Sequence, residues 1–397
     1  MATARAPIPR TVWALGIVSL LMDLSSETIH SLLPLFLTVT LGASVALVGL
    51  IDGMAEATAS IAKVFSGYLS DRLRKRKALI LIGYGLGAVT KPLFALAGSP
   101  AVVFGARFAD RIGKGLRGAP RDALVADVTP PEIRGRAFGL RQSLDTVGAF
   151  AGPLLAIGLM VLFANDIRMV FWIAVFPAVL AVACVVFGVE DAPAATAPVA
   201  APPVRLNDLK RLPRAFWVVT LIGVFFTLAR FREAFLILKA SAEGLPLVLA
   251  PLVLVVMNIV YAAGAYPAGI WSDRVPARWL FGWGLVALIA ADLSLGLLPG
   301  LVGAFLGIAL WGVHMALTQG MLAKLVADLA PADLRGSAFG AFNLMTGVAM
   351  LFASVIAGLV WDRLGANATF LVGAGFAAVA LVFGTFAFAN RAPRRAK

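Results

Sequence analysis

Twelve apolar segments, each about as long as a bilayer is thick, constrain this chain more than any other feature. A helix needs about 20 apolar residues to cross roughly 30 Å of hydrocarbon. Stretches of that length fall at about 13–39, 45–69, 78–97, 101–127, 136–163 and 169–188, then at 214–239, 247–271, 279–298, 301–328, 336–361 and 367–389. Composition agrees, with 60% apolar and 14% charged residues against about 45–50% and about 25% in soluble domains. The 39 glycines and 22 prolines are tolerated in transmembrane bundles but not in soluble helices. These observations exclude a cytosolic enzyme, a disordered chain and a nucleic-acid reader. Arg5 and Arg10 before an apolar run imitate a secretory signal, but Asp23 and Glu27 interrupt its continuation and no cleavage site follows. We expect a retained first helix.

An even number of spans puts both termini on one face. With that face assigned to the cytoplasm, twenty Lys and Arg fall on the inner side and three, Arg168, Lys239 and Arg363, on the outer. This is the positive-inside bias. It explains where most of the net charge of +13 sits and predicts a multi-pass protein of the inner membrane with cytoplasmic termini. The single cysteine, Cys184, excludes an intramolecular disulfide and a multi-cysteine metal site.

Residues 190–213 are rich in Ala and Pro and read as a semi-extended linker. It separates an N-terminal bundle (1–189) from a C-terminal one (214–397), each of six helices. The two halves repeat. LVADVTPPEIRGRAFG at Leu124–Gly139 matches LVADLAPADLRGSAFG at Leu325–Gly340, and GYLSDR at Gly67–Arg72 matches GIWSDR at Gly269–Arg274. Parallel repeats imply two bundles related by a pseudo-twofold axis along the membrane normal.

The loop Gly67-Tyr68-Leu69-Ser70-Asp71-Arg72-Leu73-Arg74-Lys75-Arg76 resembles the G-x-L-[AS]-D-R-x-G-R-[KR] signature of the major facilitator superfamily, with Arg74 replacing the second glycine. Span 4, Arg111 to Ala119, resembles that family's R-x-x-Q-G-x-x-x-A pattern with Lys114 for the glutamine. Span 5 resembles the antiporter signature of its drug/proton exporters through Gly139, Gly148, Gly152 and Pro153, although Ala156 and Ile157 stand where two further glycines are usual. The resemblance covers the whole chain. It implies the twelve-helix fold of the family, transport by alternating access, and proton-coupled export.

Several residues follow as candidates. Gly67, Asp71 and Arg72, with their echo Asp273 and Arg274, are expected to act in conformational switching. Asp71 would latch one state by capping a helix or pairing with a cation. The five basic side chains of the loop also suit anionic headgroups. Gly148, Gly152 and Pro153 put small residues one turn apart beside a missing donor, which suits close packing and a kink. Gly113-x-Gly115-x-x-Gly118 matches a dinucleotide fingerprint by letter alone, since it follows no strand and lies inside a span.

Ionisable residues inside spans are the sharper signal, because each costs about 2.5–3.5 kcal/mol at a helix centre on insertion scales and normally faces a cavity or a partner. Asp23, Glu27 and His30 share one face of span 1, and Arg107, Arg111 and Lys114 one face of span 4. Span 2 carries Asp52, Glu56 and Lys63, span 5 Arg141 and Asp145, and span 7 Arg230, Arg232 and Glu233. The counterparts of Arg107, Arg111 and Lys114 are Ile308, Gly312 and Met315, so the charge is concentrated in the first half. Internal pairs such as Arg141 with Asp145 or Glu56 with Lys63 could merely fasten helices. Desolvation favours a neutral carboxyl and a nearby cation a charged one. Asp23 and Glu27 are therefore the candidates for proton coupling. Arg107, Arg111, Lys114, Arg141, Arg230 and Glu56 are those for the substrate, with an anionic group suiting the cations.

The reading is a transporter and not an enzyme: no nucleophile–base arrangement or phosphate-cradling loop is present. It takes a small organic solute and protons as partners in a lipid bilayer, acts as a monomer, and needs no cofactor, metal or nucleic acid. Import of an anionic metabolite or metal chelate, and a non-transporting membrane sensor, are the alternatives.

Overall fold

The computed structural model describes residues 7–73, 75–191, 206–318, 321–331 and 334–389. Within them a few side chains, those of Asp71 and Asp273 included, are not described, so the expected latch at Asp71 and its echo lie outside the described residues. The protein is all-helical, and each of the twelve apolar segments forms a helix or a broken pair of helices. In the first half these are α1 (Arg10–His30), α2 (Val45–Leu73), α3 (Arg76–Leu96), α4 (Pro100–Val128), α5 (Arg134–Leu162) and α6 (Ile167–Gly188). Beyond His30 the first span continues through Leu33–Leu35 into a π-helical turn, Phe36–Thr40. The second half contains α7 (Arg214–Ala229) with its continuation Ala234–Ala242, α8 (Leu252–Arg274) and α9 (Ala277–Leu297). It closes with α10 (Gly300–Thr318) and its continuation Met321–Leu329, α11 (Arg335–Leu364) and α12 (Ala366–Ala389).

Among the described residues, ten helical stretches are long and apolar enough to cross a membrane by length and composition. The two expected spans missing from that set have visible reasons. Helix α4 carries too many charges, and the seventh span is interrupted at Arg230–Glu233, where Arg230 leaves the helical region at φ −103° and ψ 76°. The linker is also not extended throughout, because Leu206–Arg211 forms a short helix.

Packing divides the chain into two compact units. The first comprises residues 1–41 and 58–202, and the second residues 42–57 and 203–397. The opening turns of α2 thus belong with the second half of the sequence. There, the backbone N–H groups of Val45 and Ala46 donate to the Asp362 carboxylate of α11 at 3.0 and 2.9 Å. This caps two donors that the first turn of a helix leaves without a partner.

In the first unit α1 lies against α5 and α6, and α3 against α4. Small residues make these approaches possible. A Cβ on Gly113 of α4 would stand 2.6 Å from the Gly83 carbonyl oxygen of α3, and one on Gly83 would stand 2.7 Å from the Gly113 carbonyl oxygen. A Cβ on Gly115 would collide with Ala62. The glycines that spell a dinucleotide fingerprint are therefore packing residues of a helix. Between α1 and α5, Gly148 touches the Leu20 carbonyl, and a Cβ on Gly152 would come within 2.7 Å of Glu27 Cβ. Thr28 Oγ1 donates to the Gly152 carbonyl at 3.2 Å. An apolar core of the same unit gathers Val12, Leu15, Val18, Met22, Ile80, Tyr84, Leu124 and Val125. The second unit has its own core of Phe216, Val219, Val326, Leu334, Ala338 and Phe342.

Candidate functional site

Helix α4 is inverted relative to a soluble amphipathic helix, since its charged stripe faces inward. Arg107, Asp110, Arg111 and Arg117 fall at successive turns on one face, and all four are buried. Lys114, on the same helix, is exposed. Opposite the stripe, α3 supplies Lys91, which is 0% exposed. Its Nζ donates to Asp110 Oδ1 at 3.0 Å and to Ser26 Oγ of α1 at 2.9 Å. Arg111 Nε lies 3.3 Å from Asp110 Oδ2, so one carboxylate holds two cations from two helices.

Arg111 then reaches α1, its Nη2 standing 3.0 Å from His30 Nε2. A guanidinium only donates, so His30 Nε2 accepts in this contact, and the same Nη2 stands 3.4 Å from His30 Nδ1. That Nδ1 lies 3.5 Å from Glu27 Oε1. Glu27, His30, Arg111, Asp110, Lys91 and Ser26 thus form a continuous polar chain across three helices. Three of its neighbouring or member cations, Lys91, Arg107 and Arg111, are fully buried beside one fully buried carboxylate, Asp110. This surplus of positive charge suits an anionic ligand group.

A second cluster sits one to two turns away, between α1 and α5. Asp145 lies 3.5 Å from Arg141 Nη1 and 3.9 Å from Arg121 Nη1, and Gln142 Nε2 donates to its other oxygen at 3.3 Å. Arg121 also donates to Ser19 Oγ at 3.2 Å. On the α1 side, the Asp23 carboxyl is within hydrogen-bonding reach of Asp145, with Lys114 and Glu27 close enough to act on it. Asp145 thus has two guanidinium groups on one side and the Asp23 carboxyl on the other.

The candidates therefore separate. Asp23 and Glu27 lie on the α1 face that meets both clusters, and Arg107 and Arg111 lie in the first of them. Arg141 is engaged by Asp145 and stands 3.9 Å from Asp122, the fastening role. Arg230 and Glu56 belong to the second unit. There Arg230 faces Glu233 at 3.9 Å, and Arg232 approaches Glu56 at 3.7 Å. Gly148 and Gly152 are helix contacts, and Pro153 is buried within α5. Gly67 makes only an ordinary contact with Ala119, and Arg72 and Arg274 are exposed at the ends of α2 and α8. Among the described residues no group of three His, Cys, Asp or Glu could hold a metal ion.

Three residues escaped the sequence reading. Lys91 sits before Pro92 inside span 3, and Asp292 inside span 9. Each is a lone charge in an apolar run, which the cost of burial should have flagged. Lys239, placed in an outer connection, is instead 1% exposed, bonded to Glu243 and, at 2.6 Å, to Asn367 Oδ1. It reads as a loop residue because it lies near the end of its apolar run.

Comparison with known proteins bears on this architecture. The sequence model described as Major Facilitator Superfamily matches residues 15–256 and 241–397. An uncharacterised MFS-type transporter of Methanocaldococcus jannaschii is 31% identical over 380 residues, covering 94% of this chain and 93% of that one. The multidrug resistance protein MdtH of Escherichia coli is 26% identical over 336 residues, covering 81% and 79%. Among solved structures, the nucleoside transporter NupG superposes with a TM-score of 0.77 at 16% identity, over 95% of this chain and 99% of that one. At that identity the likeness concerns the fold alone.

Proposed function

The chain belongs to the major facilitator superfamily, and from that premise we propose that it is a proton-coupled exporter of a small organic solute carrying an anionic group. Transport would proceed by alternating access in the inner membrane, with both termini cytoplasmic. The observation that carries the reading is the coexistence, in one unit, of two neighbouring carboxyls, Asp23 and Asp145, and a buried cation surplus, both meeting one face of α1. Asp23 lies beside Asp145 while Glu27 closes the chain that runs through His30 to Arg111, Asp110 and Lys91. An anion arriving at Arg107 and Arg111 would compete with Asp110 and Glu27 for those cations. Export is supported by the incomplete antiporter signature of α5 and by the similarity to a multidrug resistance protein.

The test begins with a thermal-shift screen of the purified chain against organic acids, drugs and metal chelates. The stabilising solute is then followed in proteoliposomes under an imposed pH gradient. An outward-directed response to the gradient is expected, and Asp23→Asn or Glu27→Gln should abolish it while sparing solute exchange. Selection of organic cations would overturn the anionic assignment. Gradient-driven uptake in the opposite sense would make the protein an importer. Normal gradient responses in both variants would remove the coupling role from α1.

A further inference from the structure

The carboxyls proposed to handle protons all lie in the first unit, but the second unit buries one of its own. Asp292, on α9, is 0% exposed, and among the described residues neither carboxyl oxygen has a hydrogen-bond partner. Its wall is formed by α12 and the break in the seventh span. A Cβ added to Gly373 would stand 2.9 Å from Asp292 Oδ2 and 2.9 Å from the edge of the Phe231 ring. Phe231 is in turn packed on Trp311 at 5.7 Å and on Phe370 at 5.4 Å.

An ionised carboxylate with no partner in such surroundings is prohibitively costly, so something must neutralise it. Among the described residues, no charged side chain does. Helix α12 carries no ionisable side chain over its described length, and α10 carries His314, whose Nδ1 donates to the Gly284 carbonyl at 2.9 Å. On α8, Tyr261 and Tyr266 are the ionisable groups in the span. Arg274 and Asp273 lie at the end next to the start of α9, about 22 Å along the helix from Asp292. Arg230 and Arg232 flank Phe231 but face Glu233 and Glu56, and Lys239 is bonded to Glu243 and Asn367. A metal cation would need several oxygen ligands, and among the described residues no group of three His, Cys, Asp or Glu could supply them. An amine would need more room than a methyl group, which Gly373 does not leave. What fits is a proton.

We propose that Asp292 is a proton-binding site of the second unit, loaded in the conformation described and unloaded when the transport cycle opens α9 from α12. The proposal extends the proton-coupled reading and depends on it for its role in the cycle, but the site itself does not. Two further polar atoms of the same core lack partners among the described residues, Trp311 Nε1 and His314 Nε2. The rings carrying them lie 6.3 Å apart, and Trp311 meets the Phe231 that covers Asp292. Opening these aromatic contacts would expose the carboxyl and a neutral imidazole acceptor together.

The test is hydrogen–deuterium exchange of the full chain in liposomes, comparing about pH 6 with about pH 9 after correction for intrinsic rates. Deprotonation leaves an unpaired charge between α9 and α12, so their amides should open about tenfold more often at the higher pH. Asp292→Asn, which cannot ionise, should remove that pH dependence, and Asp23→Asn should leave it intact. A change below about twofold in the unmodified chain, or equal pH dependence in Asp292→Asn, overturns the proposal. Should Asp292→Asn not fold, Asp292→Ser takes its place. Failure of both also overturns it, because a site holding a neutral carboxyl must tolerate a neutral side chain of equal or smaller size. If the exchange result holds while no proton gradient drives transport, the site stands and the coupling reading falls.

Discussion

Lys91 and Asp110 show how little an isolated residue discloses of its worth. Each is a charge inside an apolar run, but only the packing of α3 on α4 joins them at 3.0 Å with Arg111 on the other oxygen. Their removal should therefore be asymmetric. Asp110→Asn strands two buried cations and should cost about 3–5 kcal/mol of stability. Lys91→Met leaves Asp110 with Arg111 and should cost less. The double variant should recover part of the Asp110→Asn loss. Denaturant unfolding of the purified protein measures all three, and a double variant as unstable as the sum of the single ones would contradict the pairing. The stripes on α1 and α4 were legible from spacing, because the helical period alone puts Asp23, Glu27 and His30 on one face. Their partners were not, since Asp145, Lys91 and Arg121 arrive from helices tens of residues away.

At the scale of the element, the glycines of α5 separate into two kinds that the sequence cannot tell apart. Gly148 and Gly152 meet the backbone of α1, whereas Gly139 has nothing within 4 Å of an added Cβ. Gly148→Ala should force α1 and α5 apart at a cost of about 1–3 kcal/mol, and Gly139→Ala should be silent in the same thermal unfolding assay. Equal effects would mean that the signature glycines serve something other than this contact. The end of the segment Ala234–Ala242 gives a pH dependence. Lys239, and then the Gly300 N–H at 2.6 Å, hold the Glu243 carboxyl below the usual carboxylate range. Its contribution is present above the unfolded value near about 4.3 and fades as the pH falls through the lower folded one. Glu243→Gln should thus lower the melting temperature at neutral pH, and the difference from the unmodified chain should vanish in acid. A constant difference across the series would remove Glu243 from that tie.

For the whole molecule, the charge bias predicts that both termini lie in the cytoplasm. A C-terminal tag should then stay protected from an impermeant reagent in intact cells and react after permeabilisation; labelling in intact cells would reverse the topology. Length, hydropathy, basic connections and the duplicated blocks determined a twelve-helix membrane protein of two repeated halves, because the bilayer imposes helix length and a repeat imposes its copy. Tertiary structure alone decided which charges are partners and which carboxyl has none among the described residues. It also gave the first turns of α2 to the second unit and broke the seventh span at Arg230. Those outcomes depend on which faces of distant helices meet, and a period of 3.6 residues defines a face without saying what will cover it.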